Sequence, residues 1–82
     1  MKPRKVYEKI LAGSRNVRFE DLCRLAEGFD FACDRVSGSH HIYRHSLGLM
    51  LNLQPDRNGQ AKSYQIRQLL ELVEESGLTL ED

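Results

Sequence analysis

The stretch from residue 29 to residue 54 constrains the fold most, because two short glycine-containing turns, at residues 37–39 and 46–48, divide it into three segments. Apolar side chains alternate with other residues in the first and third segments, which is typical of half-buried strands. The alternating residues are Phe29, Phe31 and Cys33 in the first segment and Leu49, Leu51 and Leu53 in the third. Connections this short join antiparallel strands, so the stretch predicts a three-stranded meander.

The rest of the chain carries the spacing of amphipathic helices, with apolar residues recurring on one face. Three helices are predicted, over residues 3–12, from residue 19 to Gly28, and from Ser63, as the N-cap, to Gly77. The order α-α-β-β-β-α predicts an α+β fold with the helices on one face of a three-stranded antiparallel sheet. The other face of that sheet is then open.

The length of 82 residues accommodates one domain and no second one. Within the single domain, residues 17–77 form the predicted central unit. Residues 1–16 add an N-terminal helix and a connector, and residues 78–82 form a short tail.

Charge and hydropathy limit the classes of function. Lys plus Arg and Asp plus Glu both number 12, and a formal net charge of zero argues against tight non-specific binding of nucleic acid. The charges are uneven, however, because residues 1–45 carry a net +3 and residues 46–82 a net −3. The first half can therefore attract a polyanion. No apolar run approaches the roughly 20 residues of a membrane span, and no signal peptide is visible, so a cytoplasmic location is expected.

The two cysteines, Cys23 and Cys33, are too few for a disulfide scaffold and do not form a C-x-x-C pair. Both stand at apolar positions of the pattern. We interpret them as small buried hydrophobic residues rather than as redox groups.

Three histidines, His40, His41 and His45, lie within six residues and raise the question of a metal site. On a strand, His40 points to the face opposite to that of His41 and His45. The latter two would lie about 13 Å apart, which is too far to share one ion. We therefore predict no metal ion and no small-molecule cofactor.

A single histidine that follows a Gly-Ser turn is the strongest candidate for chemistry. Gly38 allows positive φ and a close approach of a ligand, and Ser39 offers a hydroxyl and an amide to phosphate oxygens. Histidine is the residue type whose side chain changes charge near neutral pH, so His40 is a candidate general base or acid. The alternative is that His40 is an ordinary polar surface residue. The cations that are candidates to hold a phosphodiester are Arg35, Arg44 and Lys62.

The segment from Gly38 to His45, GSHHIYRH, resembles the signature of the HicA-family toxins of bacterial toxin–antitoxin systems. Residues 53–70 also resemble one branch of that family, and the resemblance covers about residues 17–77. It implies a fold like that of a small double-stranded-RNA-binding domain. It also implies a metal-independent ribonuclease that cleaves mRNA in a stress response and is neutralised by a HicB-type antitoxin protein. The catalytic histidine of the family corresponds to His40, and His41 to a position that is often histidine; Gly38, Ser39 and His41 are expected to contact RNA.

Two departures from the family pattern affect what the resemblance implies. Many members carry Pro-x-His after the third strand, whereas this chain has Gln54-Pro55-Asp56, so the motif supplies no second imidazole. The N-terminal helix is an addition that would pack on the open side, contact the antitoxin or guide RNA. Two other functions remain open: a non-catalytic RNA-binding module, and a protein whose whole function is to bind an antitoxin-like partner.

Overall fold

The meander is present as three antiparallel strands in the order β1-β2-β3, in a computed structural model that describes residues 1–81. Asp82, at the end of the predicted tail, lies outside the described residues. The strands are β1 (Ala32–Ser37), β2 (His40–Arg44) and β3 (Met50–Leu53), and the helices are α1 (Pro3–Leu11), α2 (Phe19–Gly28) and α3 (Ser63–Ser76). The α+β class and the order α-α-β-β-β-α are therefore confirmed.

The helix ends follow local signals of the sequence. Pro3 lies in the first turn of α1, where its missing N–H costs no hydrogen bond. α3 ends at Gly77, whose φ of 62° is the left-handed conformation that glycine adopts without steric cost. The N-cap of α3 is Lys62 and not Ser63 as predicted, and no side chain caps this end. The physical reason is that Ser63 already has helical geometry, so its hydroxyl stands one position too late to cap.

The hydrophobic core lies between the helices and one face of the sheet. Its buried side chains come from all three helices, from β2 and β3, and from the connections: Val6, Val17, Phe19, Leu22, Leu25, Ala26, Phe29, Phe31, Tyr43, Leu51, Leu53, Ala61, Leu69 and Val73. The opposite face carries exposed polar residues such as His40, Arg44 and Asn52. One face of the sheet thus stabilises the fold, and the other is open to ligands.

The N-terminal helix packs against α2 rather than across the open face. Val6 is fully buried, and the ring of Tyr7 meets the edge of the Phe29 ring at a centroid distance of 5.3 Å. Gly28 permits this approach, since a Cβ there would lie 2.7 Å from the Cβ of Pro3 and 2.9 Å from a methyl group of Leu80. Within residues 1–81, no helix is both long enough and apolar enough to cross a membrane.

The first strand differs from its prediction. It begins at Ala32, and all six of its residues are exposed, so the prediction of a half-buried strand from Phe29 is wrong. Phe29 is instead the C-cap of α2, and Phe31 is buried in the connection that precedes the strand. Asp30 between them has a φ of 75°, which no strand residue has. The alternation of aromatic residues arises from a turn that sends both rings into the core.

The two cysteines also have different surroundings. Cys23 on α2 is half-buried and packs against the core. Cys33 is exposed on β1, where its Sγ donates to the carbonyl oxygen of Arg35 at 3.8 Å, so the prediction that it is buried is wrong. The reason is that β1 presents no residue to the hydrophobic core, since all six of its residues are exposed.

Candidate active site

The open face of the sheet contains a shallow depression near the turn that joins β1 and β2. Side chains of β2 alternate between the two faces, so His40 and Ile42 face the depression while Tyr43 enters the core. The residues that line the depression are Arg35, Val36, Ser37, His40, Ile42 and Asn52. Two of these residues, Val36 and Ile42, are apolar and the other four are polar or charged.

The turn between β1 and β2 places His40 at the first position of β2. Ser37 and His40 are paired across the strands, so Gly38 and Ser39 form a two-residue turn. Gly38 has a φ of 60°, and the tight hairpin turns of this length require positive φ at their first position. The imidazole of His40 therefore projects from the first residue after a tight turn, and it is exposed to solvent.

One ring nitrogen of His40 is bonded to the neighbouring strand. Nδ1 lies 3.1 Å from Oδ1 of Asn52 on β3. Asn52 is paired with Ile42, so it stands diagonally across from His40 on the same face of the sheet. Asn52 was not predicted from the sequence, because its approach to His40 depends on the register of two strands joined by a separate turn.

Ser39 is tied to the last helix through two glutamine side chains. Nε2 of Gln54 donates to Oγ of Ser39 at 2.9 Å, and the backbone N–H of Gln54 donates to Oε1 of Gln65 at 3.0 Å. Gln65 is only 3% exposed, and its Nε2 donates to the hydroxyl of Tyr64 at 3.2 Å. Because the Ser39 oxygen accepts from Gln54, its own hydroxyl hydrogen is free to donate to a ligand. Gln65 was not predicted from the sequence. Its position four residues before Leu69, on the buried side of α3, is the signal that could have indicated its burial.

The other two histidines lie away from the depression. His41 is half-buried, its ring contacts the ring of Phe19 at a centroid distance of 4.8 Å, and its Nδ1 lies 3.1 Å from the carbonyl oxygen of Ser39. His45 follows β2, and its Nδ1 accepts the backbone N–H of Leu47 at 3.1 Å. In the part of the chain that the structure describes, no three His, Cys, Asp or Glu residues are grouped so as to hold a metal ion.

Of the three candidate cations, Arg35 alone lines the depression. A β-bulge between Cys33 and Arg35 inserts Asp34 into β1, so Arg35 pairs with Ile42 on the open face. Arg44 stands at the other end of β2, about 13 Å from His40 along the strand. Its Nε is 3.2 Å from Oδ2 of Asp34. Lys62 is half-buried at the N-cap of α3 and does not line the depression.

Two ionisable groups on the covered side of the sheet are held in their neutral forms. Burial raises the pKa of the Tyr43 hydroxyl, which donates to Oε2 of Glu27 at 3.3 Å. Burial also raises the pKa of the Cys23 thiol, against the opposite effect of a hydrogen bond with Tyr43. Tyr43 is thus a core residue, whereas Tyr64 is 54% exposed.

Comparisons with protein-family models, with curated proteins and with solved structures found no match to this chain.

Proposed function

We propose that the chain is a metal-independent endoribonuclease of the HicA type, with His40 as its general acid–base group. The observation that supports the proposal most is the placement of His40. Its exposed imidazole lines the depression together with Arg35, and it directly follows the Gly38–Ser39 turn. A titratable ring, a cation and the donors of a turn are groups that can serve the cleavage of an RNA phosphodiester by its own 2′-hydroxyl.

The proposed reaction begins with the phosphate bound between Arg35 and the donors of Ser39. His40 removes the proton of the ribose 2′-hydroxyl, and the resulting oxygen attacks the adjacent phosphorus. The bond from phosphorus to the 5′-oxygen breaks, the leaving oxygen takes a proton from water or a nearby group, and a 2′,3′-cyclic phosphate remains. His40 then returns its proton to the solvent, which neutralises the hydroxide or the group that gave up its proton and restores the base. Because only RNA carries the attacking hydroxyl, DNA is inert. One imidazole supplies about 10²–10⁴-fold, so the enzyme is slow.

The partners that belong to this proposal are mRNA, as the substrate, and a HicB-type antitoxin that covers the site. The open face supports both roles, since no part of residues 1–81 covers His40, which is exposed. The proposed location is the cytoplasm, where mRNA is available. No cofactor takes part in the reaction as written.

The test is cleavage of a mixed-sequence RNA by the purified protein in excess EDTA. We expect wild type to cleave and His40→Ala to lose at least about 100-fold in rate, with an unchanged far-UV circular dichroism spectrum. His45→Ala is the matched control. It removes an imidazole of the same chain that lies outside the depression, and it should keep the wild-type rate per folded molecule.

Two results would contradict the proposal. Cleavage that persists in His40→Ala would remove His40 from the mechanism. If wild type and His40→Ala both bind RNA and neither cleaves it, the chain is instead a non-catalytic RNA-binding module. Toxicity of the expressed protein, rescued by a small protein encoded beside it, would separate the toxin from a protein that only binds a partner.

A further inference from the structure

We infer that Asn52 is a positioning residue for His40: it holds the imidazole in the tautomer that carries hydrogen on Nδ1 and leaves the lone pair on Nε2. The hydrogen bond itself is independent of any reaction. Its catalytic consequence rests on the proposed ribonuclease function, because only a reaction with His40 as the base uses the free nitrogen.

The atoms in contact determine the direction of the hydrogen bond. Nδ1 of His40 lies 3.1 Å from Oδ1 of Asn52, and an amide oxygen has no hydrogen, so it can only accept. Nδ1 is therefore the donor. A neutral imidazole carries one N–H, so the nitrogen that remains, Nε2, has the lone pair that a general base needs.

The sheet keeps the two side chains together. His41 pairs with Leu53 and Ile42 with Asn52, so His40 and Asn52 are diagonal neighbours on adjacent strands. Diagonal neighbours of an antiparallel pair are within reach of long side chains. The contact thus joins groups on two hydrogen-bonded strands, and the ring is fixed by the β2–β3 register as well as by its own backbone.

The acceptor atoms of Ser39, which precedes His40 in the chain, have other partners in the structure. The carbonyl oxygen of Ser39 bonds to Nδ1 of His41, on the covered side of the strand. Ser39 Oγ, in turn, accepts from Gln54. Asn52 is accordingly the side chain that selects the tautomer of His40. Without it, the ring would divide its population between the two neutral tautomers and rotate freely.

The direct test is the tautomer of His40 measured by ¹⁵N NMR, from the correlations of the ring carbon-bound protons with both ring nitrogens. Spectra are recorded at a pH at which the ring is neutral in each variant. We expect wild type to show Nδ1 protonated and Nε2 unprotonated. Asn52→Val removes the acceptor with a residue that suits a strand, and the N–H should shift toward Nε2. Asn52→Asp keeps an acceptor oxygen at this position and should retain the wild-type tautomer.

Cleavage kinetics provide the second readout. With RNA as the substrate, Asn52→Val should lower kcat by about 3- to 10-fold, the ratio that one neutral hydrogen bond corresponds to. KM should change little, because Asn52 acts through His40. Asn52→Asp should restore kcat and raise KM, since a carboxylate in the depression repels the phosphate.

The outcomes separate this inference from the proposed function. A wild-type His40 that carries its hydrogen on Nε2, or an unchanged tautomer in Asn52→Val, would overturn the inference even if RNA is cleaved. A wild-type protein that shows the expected tautomer and no cleavage would contradict the ribonuclease and leave the positioning role intact. If Asn52→Val does not fold, Asn52→Ala and the wild-type spectrum still decide the question.

Discussion

His40 and His41 are neighbours in the chain, yet the sheet gives them different surroundings. His41 lies half-buried against Phe19 on the covered face, where its ring adds to the packing of α2 on the sheet. His40 lies exposed on the open face, where its Nδ1 bonds to Oδ1 of Asn52. Adjacent residues of one strand can therefore serve packing and present an exposed polar group, because the side chains of a strand alternate between two faces.

The two faces also differ in what their residues contribute to stability. Leu51 and Leu53 on the covered face are almost fully buried, at 1% and 0% exposure. Met50 and Asn52, which alternate with them along β3, are exposed. Since burial of apolar area is the main source of folding free energy, the open face is free to carry polar groups at little cost in stability.

The largest expected effect tests this difference in stability. Leu53→Ala should lower the free energy of unfolding by about 2–5 kcal/mol, because it removes a fully buried side chain and leaves a cavity. Met50→Ala, on the same strand and 52% exposed, should change it by less than about 0.5 kcal/mol. Urea unfolding followed by circular dichroism measures both values. Equal effects at the two positions would mean that the open face is covered in solution.

A smaller effect tests the two ends of the open face. Arg35 lines the depression, whereas Arg44 pairs with Asp34 at the far end of β2. Arg35→Ala should lower kcat/KM for RNA cleavage by roughly tenfold, the loss of one charge-assisted hydrogen bond to phosphate. Arg44→Ala should lower it by less than about twofold, as expected of a screened surface charge. A larger loss in Arg44→Ala would place the bound phosphate at the other end of the strand.

The smallest effect concerns the rates at which the two cysteines react. Cys33 reports on the exposed strand β1 and Cys23 on the contact between α2 and the core, and neither measurement needs a substrate. Cys33 is exposed on the edge strand, while Cys23 is half-buried with a pKa raised by burial. The thiolate is the reactive form, so an alkylating reagent should modify Cys33 first. In Cys33→Ser, the remaining reaction at Cys23 should be slow at neutral pH and should accelerate only at a pH above that needed for a free cysteine. Mass spectrometry over time measures both rates, and fast modification of Cys23 would show that α2 separates readily from the sheet.

Much of the fold was predictable from the sequence because its signals are local. Pro3 and Gly77 mark helix ends through their own backbone preferences, and the two short turns require an antiparallel meander. β1 was not predictable in the same way. The alternation of Phe29 and Phe31 has the period of a strand, and only the positive φ of Asp30 shows that it belongs to a turn.

The candidate site was predictable in part for a similar reason. The orientation of His40, opposite to His41, follows from the period of a strand and is confirmed. The contact with Asn52 joins residues twelve positions apart and depends on the register of β2 and β3. The place of Arg35 in the depression depends on a bulge that no spacing in the sequence indicates.

The bulge at Asp34 also bears on how the protein behaves at high concentration. β1 is an edge strand, and among residues 1–81 no strand pairs with its outer side. A straight edge strand is a template for pairing with a strand of another molecule. The bulge in β1 interrupts that template, because it bends and twists the strand. The residue that brings Arg35 to the depression therefore also helps to keep the protein from aggregating through its sheet.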